Sequence, residues 1–160
     1  MKTKLLLLFL FIGSLAFSQD HSFKLQNRSV FWQKVFEGSP DKINHPKLKD
    51  GAGTKINIKP CPGTSAFMIG DVSFEYQIES KENRYRITIK NIVFENSFQL
   101  NFGAAFTSSE STNFETYAVR HKKNELRDGF THRKNYKCLE ELFTRIFTPT
   151  EESAIYNDDW

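Results

Sequence analysis

The chain is poor in the residues that define several protein classes. It has two cysteines, Cys61 and Cys138, in 160 residues, which excludes a small scaffold stapled by many disulfides. Eight glycines and five prolines without a period exclude a collagen-like or proline-rich chain. The one long apolar run, Leu5 to Phe17, covers about 13 residues, short of the roughly 20 that a membrane-spanning helix needs. No Gly-x-Ser-x-Gly is present, and Gly51-Ala52-Gly53 lacks the remaining glycine and the Lys-Ser/Thr of a phosphate loop, so it reads as a turn. The four histidines, His21, His45, His121 and His132, do not pair at i, i+3 or i+4. No cysteine or carboxylate cluster joins them at ligand spacing, so neither a metal nor a cofactor is implied.

Charge of one sign is also missing. The formal net charge of +3 includes Lys2 and Lys4, which flank the N-terminal apolar run. Past residue 18 there are 20 basic and 19 acidic side chains, which removes the electrostatic case for a nucleic-acid partner. With 39% hydrophobic and 26% charged residues the remainder suits one globular domain with a real core.

What is present starts with an export pattern. Lys2 and Lys4 form a positive region, Leu5 to Ile12 are continuously apolar, and Ala16-Phe17-Ser18 offers small residues at the spacing of a cleavage site. Residues 1–18 are expected to be a signal peptide, and the product to be periplasmic or extracellular and not an integral membrane protein. In such an oxidising compartment Cys61 and Cys138 have two readings. They either pair, closing a loop of about 77 residues, or remain as one buried thiol and one loop thiol.

Residues 19–29 are polar and read as a flexible lead-in. Val30–Glu37 is rich in aromatic and β-branched residues, as in a strand. Ser39-Pro40 suits a helix start, but Pro46 interrupts the helix that follows. Residues 49–53 read as a loop, and 54–59 alternate as a short strand ended by Pro60-Cys61-Pro62-Gly63. In DVSFEYQIES and RYRITIKNIVFE apolar residues recur with period two, which makes an antiparallel hairpin. If Ser80 faces Asn83, then Glu79 faces Arg84, Gln77 faces Arg86, Ile78 meets Tyr85 and Tyr76 meets Ile87. Ile92, Val93 and Phe94 suggest burial on both faces. Thr107–Thr112 reads as a polar loop, Phe114–Val119 as a strand or packed loop, and 122–134 as a charged helix start. Leu139, Leu142, Phe143 and Ile146 fall at i, i+3, i+4 and i+7, one face of a helix over 135–147. Thr148-Pro149-Thr150-Glu151 has the form of a capping box for a short second helix.

The expected fold class is α+β: an antiparallel twisted sheet of about five strands with helices packed on one face. The expected division is a single domain over 30–148 and a C-terminal tail over 149–160.

The segments VFWQKVFEGSPDKI, DVSFEYQIES, KENRYRITIKNIVFE and CLEELFTRIF, in this order behind an export signal, resemble an uncharacterised exported Bacteroidota family described as a domain of unknown function with a TBP-like (TATA-binding-protein-like) fold. The resemblance covers about residues 30–147, with Tyr85 and Arg86 in NRYRITIKNI as its most telling piece. It departs at 40–50, where a longer first helix is expected, and at 96–131. It implies a fold and an envelope location, and no activity.

No paired carboxylates stand out as acid and base. Glu140-Glu141 and Glu151-Glu152 are adjacent, so on a helix they point about 100° apart. Glu75 and Glu79 face arginines. The candidate partner surface is therefore assembled from two sets. Phe102, Phe106, Phe114 and Trp160 are aromatics without a clear place in the core; Arg84, Arg86 and Lys90 form a basic stripe on one strand face. The basic block at His121-Lys122-Lys123 and Arg133-Lys134 suits anionic lipid or polysaccharide, or simply a solvated loop. The expectation is a non-enzymatic envelope protein that binds another protein or a small ligand. The alternative is a small envelope hydrolase acting on peptidoglycan, polysaccharide or lipid, which requires His121 or His132 beside a carboxylate.

Overall fold

The computed structural model describes residues 22–149 apart from 60 and 103, with the backbone alone for 96–110. The domain is α+β. Nine strands run β1 Phe23–Gln26, β2 Ser29–Glu37, β3 Leu48–Lys49, β4 Ala52–Ile58, β5 Gly70–Lys81, β6 Arg84–Phe102, β7 Ala104–Asn113, β8 Val119–Arg120 and β9 Glu125–Leu126. The helices are α1, Phe114–Ala118, and α2, Phe130–Phe147. Seven strands form one antiparallel sheet in the order β1-β2-β6-β5-β4-β3, with β7 also on β6. That is seven strands where about five were expected. No helix among the described residues is long and apolar enough to cross a membrane.

The additional strands come from tight turns. Asn27 and Arg28 have φ of 51° and 67°, the left-handed pair that a two-residue hairpin needs to match strand twist. They fold Phe23–Gln26 back on β2, with Phe23 fully buried, so the lead-in expected to be flexible over 19–29 is corrected for 22–29; 19–21 lie outside the described residues. Asp50 and Gly51, with φ of 49° and 79°, do the same for β3 and β4. The sequence 107–112, expected as a loop, is part of β7, paired residue for residue with β6. After Ser39 the helix shrinks to the three-residue 3-10 turn Pro40–Lys42, where the Ser39 hydroxyl accepts the Asp41 N–H. Phe114–Ala118 is helical; of 122–134, expected as a helix start, 130–134 is the first part of α2, while Glu125–Leu126 pairs with Val119–Arg120 as the small β8-β9 ladder.

Side-chain faces in the central hairpin follow the period-two reading, but its register differs by two residues. Glu82 and Asn83 make the turn, so Glu79 faces Arg86 and Ile78 faces Ile87. This register forms two cross-strand ion pairs, Glu79–Arg86 and Glu75–Lys90, where the expected one forms a single pair. An even shift keeps every side chain on its face.

Two bulges explain why alternation is lost on either side. Asn91, with φ of 53°, is an extra residue in β6 opposite the Ser73–Glu75 stretch. Tyr85, Ile87 and Ile89 are buried before it, Ile92 and Phe94 after it. The bulge switches the phase so that both sets face the same core. Lys55, with φ of 48°, does this in β4 between Gly53 and Ile56. A Cβ on Gly53 would overlap the Phe74 ring, so this position needs glycine for close approach.

Helix α2 lies across the apolar sheet face. Leu139, Leu142, Phe143 and Ile146 are all buried, as their spacing predicts. The Phe143 ring lies 5.3 Å from Trp32 and 5.1 Å from Phe74, and the Phe147 ring 5.1 Å from Tyr76. Phe114 packs on Phe23, Phe94 and Tyr136 at 5.7–5.9 Å. Lys34 points inward from β2 and is satisfied on α2 by Glu140 and Thr144, each at 2.9 Å.

Candidate anion-binding groove

A single disulfide, Cys61–Cys138, with Cα atoms 6.0 Å apart, joins the loop after β4 to the middle of α2. Between the open thiols and the bond, the fold selects the bond. Asn135, 2% exposed, clamps the same loop: its Oδ1 accepts the Ser65 N–H at 2.9 Å, and its Nδ2 donates to Ser65 Oγ at 2.9 Å. Between these tethers the chain turns at Gly63, whose φ of +77° and close approach to the Lys134 side chain exclude a larger residue without strain. Thr64 Oγ1 donates to the Cys61 carbonyl at 2.8 Å and closes the turn.

Loop and helix enclose a cleft of about 460 Å³. Ile58, Pro62, Leu142 and the disulfide give it an apolar floor; Lys59, Lys134, Lys137 and Arg145 surround it, with Glu141 as its one acid. On α2 the charged set occurs at 134, 137, 141 and 145, within one face of a 3.6-residue helix. Among the described residues no ion pair engages these four cations. Lys134 Nζ lies 4.3 Å over the ring centroid of Phe130, which is 75% exposed. His45, within the field of Arg145, is held toward its neutral form: burial, then Lys47 and Arg145, lower its pKa.

The residues singled out in the sequence do not come together. Phe114 is 1% exposed and belongs to the core, so it is corrected as a partner-surface residue: its ring fills the space between the sheet and α2. Arg86 is bonded to Glu79, and Lys90 to Glu75 at 3.3 Å. Glu75 is held below the ordinary carboxylate range by a hydrogen bond from Asn91 and then by Lys90. The stripe is thus largely a neutralised ladder, with Arg84 exposed at its end between Glu37 and Lys81. Phe102 and Phe106 stand in the β6-β7 ladder, opposite Ala104 and Leu100; Trp160 and the proposed second helix lie outside the described residues.

His121 is exposed in a turn and His132 half-buried. The His132 pKa is lowered by burial, then by Arg127. Neither histidine is hydrogen-bonded to a carboxylate among the described residues. No group of three His, Cys, Asp or Glu that could hold a metal ion occurs among them either. Glu140, whose side chain is 19% exposed, is fully engaged. Its Oε2 accepts Trp32 Nε1 at 2.6 Å and the Ser22 N–H at 3.2 Å; its Oε1 accepts Lys34 Nζ at 2.9 Å and Ser22 Oγ at 3.0 Å. Burial raises its pKa, but the Lys34, Trp32 and Ser22 bonds outweigh that and lower it. Such a carboxylate stays ionised and acts as a tie between β1, β2 and α2.

Of the groove cations, Lys134 belongs to the basic block noted in the sequence; Lys59, Lys137 and Arg145 were missed, the last two because they lie off the apolar face of the helix and read as solvated positions. Their shared helix face was available from spacing, but Lys59 joins them only once Cys61 is paired with Cys138. No family model matches the chain, and neither the curated proteins nor the solved structures contain a match.

Proposed function

We propose that the protein is an exported, non-enzymatic binding module of the cell envelope that holds an anionic ligand in the groove over the Cys61–Cys138 bond. The observation that carries this reading is that Lys59, Lys134, Lys137 and Arg145 line one cleft with an apolar floor and a single carboxylate. Cations surrounding a low-dielectric concavity focus field and attract anions. The Lys2–Ser18 pattern supports export to the periplasm or outside the cell, and the disulfide is consistent with an oxidising compartment. The closing helix across an antiparallel meander supports the TBP-like reading and membership of the exported Bacteroidota family, although the Pro40–Lys42 turn stands where that fold has a long first helix.

The test is titration of the mature protein with inorganic tripolyphosphate, followed by backbone amide shifts. Shifts confined to residues 59–65 and 134–145, abolished in a folded K137E/R145E variant, support the reading. Shifts absent at saturating tripolyphosphate, or unchanged in that variant, refute it.

A further inference from the structure

Resting on that anion-site reading, we infer that the natural occupant is a linear acidic polysaccharide and not a compact anion. The cations do not converge on one point. Lys134, Lys137 and Arg145 are spread over about 16 Å of the α2 axis, at 1.5 Å per residue. Glu141 interrupts the row between Lys137 and Arg145. A single multivalent anion centred in the groove would meet that carboxylate, whereas a chain with spaced charges places one group at Lys134/Lys137 and another at Arg145. Lys137, Glu141 and Arg145 are all exposed, so the groove is accessible along its helical rim.

The rest of the surface suits a sugar. Pro62 is exposed and Cys61 half-buried, and this small apolar ledge, backed by the buried Ile58, Leu142 and Cys138, is where the C–H face of one pyranose ring can pack. Beyond the groove lining, next to Lys134, Phe130 is 75% exposed; the Lys134 ammonium covers one face of its ring, and the opposite face is the platform for one further sugar. A single strand of nucleic acid would call for successive aromatic platforms, and the groove lining itself contains no aromatic residue. Charge balance agrees: the four cations and one acid of the groove complement a polymer of several carboxylates.

The experiment is calorimetric titration of the mature, disulfide-bonded protein with oligogalacturonates from dimer to octamer. Inorganic phosphate and a single-stranded oligonucleotide of equal charge serve as comparison probes. Affinity should rise with length until the chain spans Lys134 to Arg145, then level off. The R145E variant should lose roughly tenfold on the longer chains and little on the dimer, because charge reversal replaces an exposed attraction of up to about 1 kcal/mol with a repulsion of similar size. F130S should weaken the longest chains selectively, and E141Q should strengthen all of them. Affinity independent of length and equalled by phosphate would overturn the polysaccharide inference while leaving an anion site. Tighter binding of the oligonucleotide would overturn it in favour of nucleic acid. Absence of binding by every anion would overturn both readings.

Discussion

Glu140 offers the sharpest test of what ties the first hairpin to the helix. Replacing it with Gln keeps the shape but removes the charge facing Lys34 and converts one acceptor into a donor. Either the Trp32 indole or the Lys34 ammonium then loses its acceptor. The side chains of Lys34 and Glu140 are 33% and 19% exposed, so water compensates in part. Charge-assisted hydrogen bonds contribute about 1.5–3 kcal/mol, and breaking a fully buried pair costs 3–5; the partly wet site should lose roughly 2–3 kcal/mol. At about 3–5 °C per kcal/mol for a domain of this size, Tm should fall by about 6–15 °C. The assay is urea unfolding followed by Trp32 emission in a W160F background. The pH dependence has a definite sign. Bonds from Lys34, Trp32 and Ser22 outweigh burial and hold the folded Glu140 carboxyl below its ordinary value. Its contribution is therefore complete above the unfolded pKa of about 4.3 and is lost as pH falls through the folded value. The wild type should lose stability over that window, and E140Q should lose correspondingly less. A loss under about 1 kcal/mol at neutral pH, or parallel acid profiles for the two proteins, would refute the tie.

Four further outcomes are expected. G53A should destabilise by about 1–3 kcal/mol, measured by chemical denaturation, because the new methyl displaces the Phe74 ring from its place beside Phe143. The C61S/C138S double variant should lose on the order of 4 kcal/mol from freeing a long unfolded loop, and its tripolyphosphate affinity should fall with the loosened groove wall. In a spectrophotometric alkaline titration Tyr85 and Tyr136, both pushed up to about 12 by burial, should ionise well above the ordinary tyrosine value of about 10. Deleting Asn91 should unfold the domain or cost about 3–6 kcal/mol, since the phase that buries both Ile92 and Phe94 is lost; near-native stability would contradict the phase-switch role of the bulge.

Where local pattern and burial coincide, the fold was legible. Val72, Phe74 and Tyr85, Ile87, Ile89 each repeat every second residue, and Leu139, Leu142, Phe143, Ile146 follow the helical period; all are buried. Register was not legible because Glu79 can oppose Arg84 or Arg86 without changing faces. Phe23–Gln26 escaped notice because its turn, Asn27-Arg28, contains no glycine, and β7 because Thr107–Thr112 has no apolar side to alternate. Lys55 and Asn91 hid the bulges for a related reason: an extra residue erases the period used to find the strand. The candidate groove required a long-range pairing that no local pattern specifies, so its lysines resembled any solvated helix face. Phe114 shows the opposite error. An aromatic in an unassigned segment was read as surface, although the core still had space for its ring.

The covalent bond between two residues 77 positions apart also determines how the molecule would respond to being pulled by its ends. Tension entering along β1 to β4 crosses at Cys61 to Cys138 and leaves through the last turns of α2. Strands β5 to β9, α1 and the first turns of α2 lie inside the bridged loop and bear no direct load. Fully extended, that loop would add about 250–280 Å to the chain. A tethered molecule keeps this length in reserve while its bond is oxidised and releases it only on reduction, so one thiol–disulfide equilibrium sets how far the protein can stretch.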